Sequence, residues 1–214
     1  MTEEFVPAGS FGQWLRAMRA VLRDEQDADV PCGDCVGCCV SSYPIPLRPT
    51  DRVAREQVPE QFLLPVEGQT PNHLLMGFRD DGSCPFLTQR SCSIYADRPQ
   101  TCRDYDCRIY AATGMSVAGD RPVIAARVQA WRFTYAGAED QDAQAALLRA
   151  ARFIQKWRGS FPVAMRAGQP TATAVLAIKT YDVFLEQTET QCDAAVAAVV
   201  SLVLNAARGF DARS

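Results

Sequence analysis

Cys32-Gly-Asp-Cys35-Val-Gly-Cys38-Cys39, then Cys84-Pro-Phe-Leu87, then Cys92-Ser-Ile-Tyr-Ala-Asp-Arg-Pro-Gln-Thr-Cys102-Arg-Asp-Tyr-Asp-Cys107 hold eight of the chain's nine cysteines. Thiols spaced two or three residues apart bring sulfur atoms within reach of one metal ion or cluster. A thiolate is soft, charged and short-armed, which suits Zn(II), Fe and Cu(I). The pattern therefore marks residues 30–110 as an irregular, metal-binding region. Cys32, Cys35, Cys38, Cys39, Cys84, Cys92, Cys102 and Cys107 are its candidate ligands. Cys192 stands apart in an apolar helical stretch and reads as a buried structural thiol.

The surrounding composition is that of a globular chain: 214 residues, 48% hydrophobic, net charge -3. A chain of this length is expected to form a single domain over 1–214 and needs no disulfide staples. No basic tail is present, so nucleic acid is not expected as a partner. The start, Met-Thr-Glu-Glu-Phe-Val-Pro, lacks the features of a signal peptide. The longest apolar run, Ala194 to Leu204, is too short to span a bilayer. The expectation is a cytoplasmic protein with no membrane partner, in which clustered cysteines bind metal instead of forming disulfides. Arg90, Arg98, Arg103 and Arg108 stand among the later cysteines and can offset thiolate charge; Arg98, Arg103 and Arg108 can also bind an anionic substrate or pair with Asp97, Asp104 or Asp106.

Outside the cysteines the signals are mostly helical. Ser10-Phe-Gly-Gln13 fits a capping box that opens a helix from Phe11 to Arg23. Residues 31–49 read as loop, Thr50 as the cap of a short helix carrying Val53 and Ala54, and 57–71 as irregular. Leu74–Phe78 and Ser93–Tyr95 suit short strands around an Asp80-Asp-Gly82 turn, which predicts a small antiparallel hairpin or meander carrying Cys84 and Cys92. One or two helical turns over 99–109 carry Cys102 and Cys107. Pro122 to Phe133 is mixed. Helices follow over Glu139–Arg158, Ala172–Gln187 and Asp193–Arg208, each with an apolar stripe. The fold expected is α+β, mainly α, with an irregular cysteine-rich region and a small antiparallel β-hairpin packed on a helical body at 116–214. Trp14, Trp131 and Trp157 are expected in the core.

The cysteine spacing leaves the metal open. Cys32, Cys35 and Cys38 match the opening of a ferredoxin run, and Cys84-Pro85 can stand for its last member, which suggests an iron–sulfur cluster of the 4Fe–4S kind. Eight cysteines also divide into two sites of four, which structural zinc favours. On the first view Cys32, Cys35, Cys38 and Cys84 form one group, with Cys92, Cys102 and Cys107 left for another. Cys39 is the member most open to question, since adjacent side chains diverge. His73 borders a strand and reads as structural.

The ordered set Cys-x2-Cys-x2-Cys-Cys, Cys-Pro-Phe-Leu and Cys-x-Ile-Tyr-x-x-Arg-Pro-x-x-Cys-Arg-x-Tyr-x-Cys, with Leu47-x-x-Thr50-Asp51 between, resembles the YkgJ-type CxxCxxCC cysteine-cluster family. The resemblance covers about residues 32–107. It implies a zinc- or iron-chelating domain. A similar cluster in bacterial flagellin lysine methylases adds a second implication. The leading expectation is a soluble metal-binding module with a structural, metal-handling or partner-docking role. The alternative is an Fe–S-dependent redox or protein-lysine methyl-transfer enzyme. No nucleotide-binding or metalloprotease motif is present, and one histidine argues against most Ser-His and Cys-His nucleophiles. Whether the protein is an enzyme, and what protein partner it has, the sequence leaves open.

Overall fold

The computed structural model describes residues 5–66, 73–117 and 121–213. In chain order the strands are β1 (Val6–Ser10), β2 (Ile45–Leu47), β3 (Leu63–Pro65), β4 (Leu74–Met76), β5 (Leu87–Thr88), β6 (Ser91–Cys92) and β7 (Trp131–Thr134). The helices are α1 (Phe11–Val21), α2 (Arg52–Gln57), α3 (Gln100–Asp104), α4 (Arg108–Thr113), α5 (Pro122–Ala130), α6 (Ala138–Lys156), α7 (Pro170–Thr180), α8 (Glu189–Ala194) and α9 (Val196–Asp211). The class is α+β and mainly α, as the sequence predicts. The chain divides into two compact units. One comprises Met1–Gln26, Cys107–Asp120 and Val128–Ser214, and the other Asp27–Asp106 and Arg121–Arg127.

The first unit is helical. Its longest element, α6, buries Ala146, Leu147, Ala150, Ala151, Phe153 and Ile154, the three-and-four spacing of one helix face. Gly137 precedes it, and acids Glu139 and Asp140 occupy its first turn, where the helix dipole favours them. The segment expected as one helix over 193–208 is two, because Ala195 leaves helical geometry (φ -127°, ψ 39°). A capping box of Thr188 and Gln191 opens the first of these, α8. The stretch 172–187 is likewise divided: α7 stops at Thr180 and a 3₁₀ turn, Tyr181–Phe184, buries Phe184. Trp14 and Trp131 are buried as expected. Trp157 is instead half-exposed, donating its indole N–H to Asp193 at 2.7 Å.

A parallel pair that the sequence did not announce ties the N-terminus to this unit. β1 pairs with β7, Val6 opposite Trp131 and Ser10 opposite Thr134. Pro7 and Gly9 hide the strand signal, and its partner lies far along the chain, where short-range pattern cannot reach. The register shifts between Pro7 and Gly9, with Gly9 at φ 88°. The bulge leaves Ala8 fully buried, and its carbonyl accepts from the buried guanidinium of Arg108 at 3.0 Å. Ser10 sits at the N-cap of α1, but its side chain makes no capping bond, so the capping box read from Ser10 and Gln13 does not form. Ser10 is spent on the β-pair instead.

The second unit is built from short pieces. β4 lies between β2 and β3, antiparallel to both. Each outer strand carries a proline, Pro46 and Pro65, which is where a missing N–H is tolerated. Pairing at Leu63–Pro65 falls within the stretch expected to be irregular; the remainder of that stretch after Val66 lies outside the described residues. The expected strand at Ser93–Tyr95 is displaced to Ser91–Cys92, and Tyr95–Asp97 forms a 3₁₀ turn. Asp51, not Thr50, precedes α2 at the cap position. The apolar core of the unit is small: Leu47, Ala54, Val58, Met76, Phe86 and Ile94, with Cys84 and Cys92 packed against it. Among the described residues no helix is long and apolar enough to cross a membrane.

Candidate metal centre

Three backbone segments of the second unit bring the cysteines forward. The first runs through Cys32–Cys39. Cys35 N–H donates to the Cys32 carbonyl at 3.0 Å, so the Cys-x2-Cys pair closes a tight turn. A 3₁₀ turn, Gly37–Val40, follows. In such a turn successive side chains point about 120° apart. Cys38 is accordingly exposed, whereas Cys39 turns inward. Gly37 is buried, and a methyl group there would stand 3.4–3.5 Å from Val123, Ile124 and the sulfur of Cys35.

The second segment is docked directly on the first. The backbone N–H of Cys84 donates to the carbonyl of Cys39 at 2.7 Å. Two residues earlier, Ser42 gives its backbone N–H (3.2 Å) and its hydroxyl (3.3 Å) to the Gly82 carbonyl. The Asp80-Asp-Gly82 turn forms as predicted: Asp81 accepts from the backbone and hydroxyl of Ser83 at 2.9 and 2.6 Å, and Gly82 has φ 80°. Leu87 N–H closes back on the Cys84 carbonyl at 3.0 Å, and Leu87 pairs with Cys92 across the β5–β6 hairpin. Arg79 braces this loop, donating to the carbonyls of Pro85 and Leu87. In the sequence, the only signal of Arg79 is its position immediately before the acidic turn.

The third segment is α3, which carries Cys102. Its side chains Thr101 and Gln100 reach other segments, as does its first backbone N–H, and these contacts fix its position.

The electrostatics show which thiols share one environment. Burial, followed by the nearby Cys84, Cys92, Cys32 and Cys35 thiols, pushes Cys39 up to about 11. Burial, followed by Cys84, Cys39 and Cys92, pushes Cys102 up to about 12, with Arg98 pulling weakly the other way. Cys84 is raised too, by burial first, against the opposing backbone N–H of Phe86. Cys39, Cys84, Cys92 and Cys102 thus share one neighbourhood, with Cys32 and Cys35 flanking Cys39. Spacing alone had grouped Cys38 with Cys32, Cys35 and Cys84. The structure turns Cys38 to solvent and sets Cys39 against Cys84.

The remaining candidates lie otherwise. Cys107 belongs to the helical unit, where it is buried ahead of α4 and its sulfur accepts the indole N–H of Trp131 at 3.2 Å. Cys192 is buried in the same unit and donates to Gln187 at 3.1 Å. His73 is exposed ahead of β4, its carbonyl accepting from Val66. Of the arginines, Arg103 pairs with Asp27 at 3.3 Å and Arg90 with Asp34 at 2.7 Å, while Arg98 lies 4.1 Å over the exposed Tyr95 ring. Arg108 serves the bulge carbonyl of Ala8 described above. All nine cysteines are free of disulfides.

Soft, crowded thiols on a small core are a donor set suited to zinc or iron. Residues 31–122 match the model of the CxxCxxCC family, described as "Putative zinc- or iron-chelating domain". Over this segment the chain is similar to that family. No curated protein and no solved structure matches the chain. The matched segment takes in nearly all of the second unit and continues through Cys107 and α4 of the first. Among its described residues, no three His, Cys, Asp or Glu side chains converge tightly enough to form a preset metal cage. Ligation therefore entails rotation of the sulfurs toward one another and loss of their protons.

Proposed function

We propose that the second unit is a metal-binding module in which the thiolates of Cys39, Cys84, Cys92 and Cys102 hold one zinc or iron centre, with Cys32 and Cys35 able to enlarge the set. The observation that carries this reading is the shared burial and mutual repulsion of those thiols. Cys39, Cys84 and Cys102 resist ionisation through burial first and neighbouring thiols second, and such thiols become favourable ligands once a cation replaces their protons.

The role best supported is structural. Strands of two or three residues, the short helices α2 and α3, and, among the described residues, an apolar core of six buried side chains make a unit of modest intrinsic stability. A metal cross-linking residues 39, 84, 92 and 102 joins all three segments and offsets the entropy of fixing the loops between them.

The test is hydrogen exchange on the anaerobically purified full chain, with and without a chelator, beside metal analysis and visible absorption. Chelation is expected to speed exchange in residues 27–106 while α6, α7 and α9 stay protected. Unchanged exchange after the metal is removed would contradict the structural role. A brown protein with a broad visible band and an EPR signal on reduction assigns iron–sulfur; a colourless protein with bound zinc assigns zinc.

A further inference from the structure

The turn that carries Cys102 is not held in place by apolar packing. α3 has five residues, none of them fully buried. A helix that short does not persist alone. Its position comes from polar contacts to the segment Pro46–Asp51. The Asp51 carboxylate takes the backbone N–H of Gln100 at 2.9 Å through one oxygen and the backbone N–H of Arg48 at 2.7 Å through the other. Gln100 is the first residue of α3, so its N–H is one of the donors a helix leaves without an internal partner. Asp51 stands ahead of α2 yet makes no capping bond to it. It caps a helix 49 residues further along the chain instead.

The rest of the clamp runs down α3. The Thr101 hydroxyl donates to the Pro46 carbonyl at 2.8 Å, one residue before Cys102. At the far end, Arg48 pairs with Asp104 at 2.6 Å, and the Gln100 amide bridges Asp104 and Asp27 at 2.7 and 3.1 Å. Arg48 thus touches both ends of the device, through its backbone to Asp51 and through its guanidinium to Asp104.

We infer that Asp51 is a positioning residue for the metal centre, setting the place and direction of the Cys102 thiol through the first turn of α3. The assignment rests on the metal reading above. A carboxylate bonded to two backbone N–H groups is short-tethered, so it fixes backbone, not a mobile side chain. Removing such an outer support costs about 10- to 100-fold in metal affinity.

The experiment is an anaerobic Co(II) titration of the full chain, reading the sulfur-to-cobalt charge-transfer band and the dissociation constant. Wild type, Asp51→Ala, Cys102→Ser and the double variant are compared, with Cys84→Ser and Asp51→Ala/Cys84→Ser as the control pair. Asp51→Ala is expected to weaken binding about 10- to 100-fold and to dim the band. Adding Asp51→Ala to Cys102→Ser is expected to change affinity by no more than about twofold, because the thiol it served is gone. Adding it to Cys84→Ser is expected to cost its full factor. A role confined to stability would give the same factor in both backgrounds and would overturn the assignment, as would an Asp51→Ala variant that binds like wild type. Should Asp51→Ala not fold, Thr101→Val removes the neighbouring clamp without changing shape and is read in the same cycle. A wild-type chain that gives no charge-transfer band overturns the metal reading itself, whatever Asp51 does.

Discussion

The backbone N–H of Cys84 donates to the carbonyl of Cys39 at 2.7 Å, across 45 residues of chain. That bond joins the Cys-x2-Cys-x2-Cys-Cys turn to the Cys-Pro-Phe-Leu turn and aligns the two sulfurs in one neighbourhood. It makes the second of the adjacent cysteines, not the first, the inward one.

Gly82 should be among the most sensitive positions near this bond. Its φ of 80° disfavours any side chain, and a methyl group would meet the Ser42 oxygen at 2.3 Å. Gly82→Ala is expected to cost about 1–2 kcal/mol from backbone conformation alone, and to loosen Cys84, two residues on. Urea unfolding and zinc affinity measured on the same variant should both fall. An unchanged pair of values would remove Gly82 from the account.

The metal-free protein should lose stability as pH rises above the ordinary thiol range. Burial and neighbouring thiols raise Cys39 to about 11 and Cys102 to about 12 from an ordinary 9.0. The unfolded chain therefore gives up these protons at lower pH than the folded chain. Their contribution is fully present below pH 9 and is lost as pH rises through the folded values. Denaturant midpoints under reducing anaerobic conditions should drop over that window, and the drop should shrink in a Cys39→Ser/Cys102→Ser variant. Zinc addition at neutral pH should release protons, one for each thiol that becomes a ligand.

Much of this arrangement was legible in the residues. The existence of the cysteine region, the Asp80-Asp-Gly82 turn, the strand at Leu74 and the long helix α6 follow from local chemistry: glycine at positive φ, alternation, and three-and-four periodicity. The β1–β7 pair was not legible, because Pro7 and Gly9 mask a strand whose partner lies more than a hundred residues away. Neither was the choice between Cys38 and Cys39. Spacing says only that neighbours diverge; which one faces inward depends on the 3₁₀ turn at Gly37–Val40 and on the Cys84 N–H that donates to the Cys39 carbonyl. Asp51 hid for a similar reason, since its partner at Gln100 shares no local pattern with it.

Trp131 should matter to the helical unit through one bond. Its indole N–H donates to the buried sulfur of Cys107 at 3.2 Å. Trp131→Phe keeps most of the apolar contact and removes the donor, at a cost of about 1 kcal/mol plus the lost ring volume. Thermal unfolding followed on the α6 and α7 signals should report it. A variant as stable as wild type would show that the bond carries no net weight.

The central claim is that Cys39, and not its neighbour Cys38, holds the metal. The most direct measurement is metal content per chain in wild type, Cys38→Ser and Cys39→Ser, each purified anaerobically in parallel. Wild type and Cys38→Ser are expected to carry the same stoichiometric zinc or iron, and Cys39→Ser to lose it. Metal retained in Cys39→Ser but lost in Cys38→Ser, or no stoichiometric metal in wild type, would contradict the account.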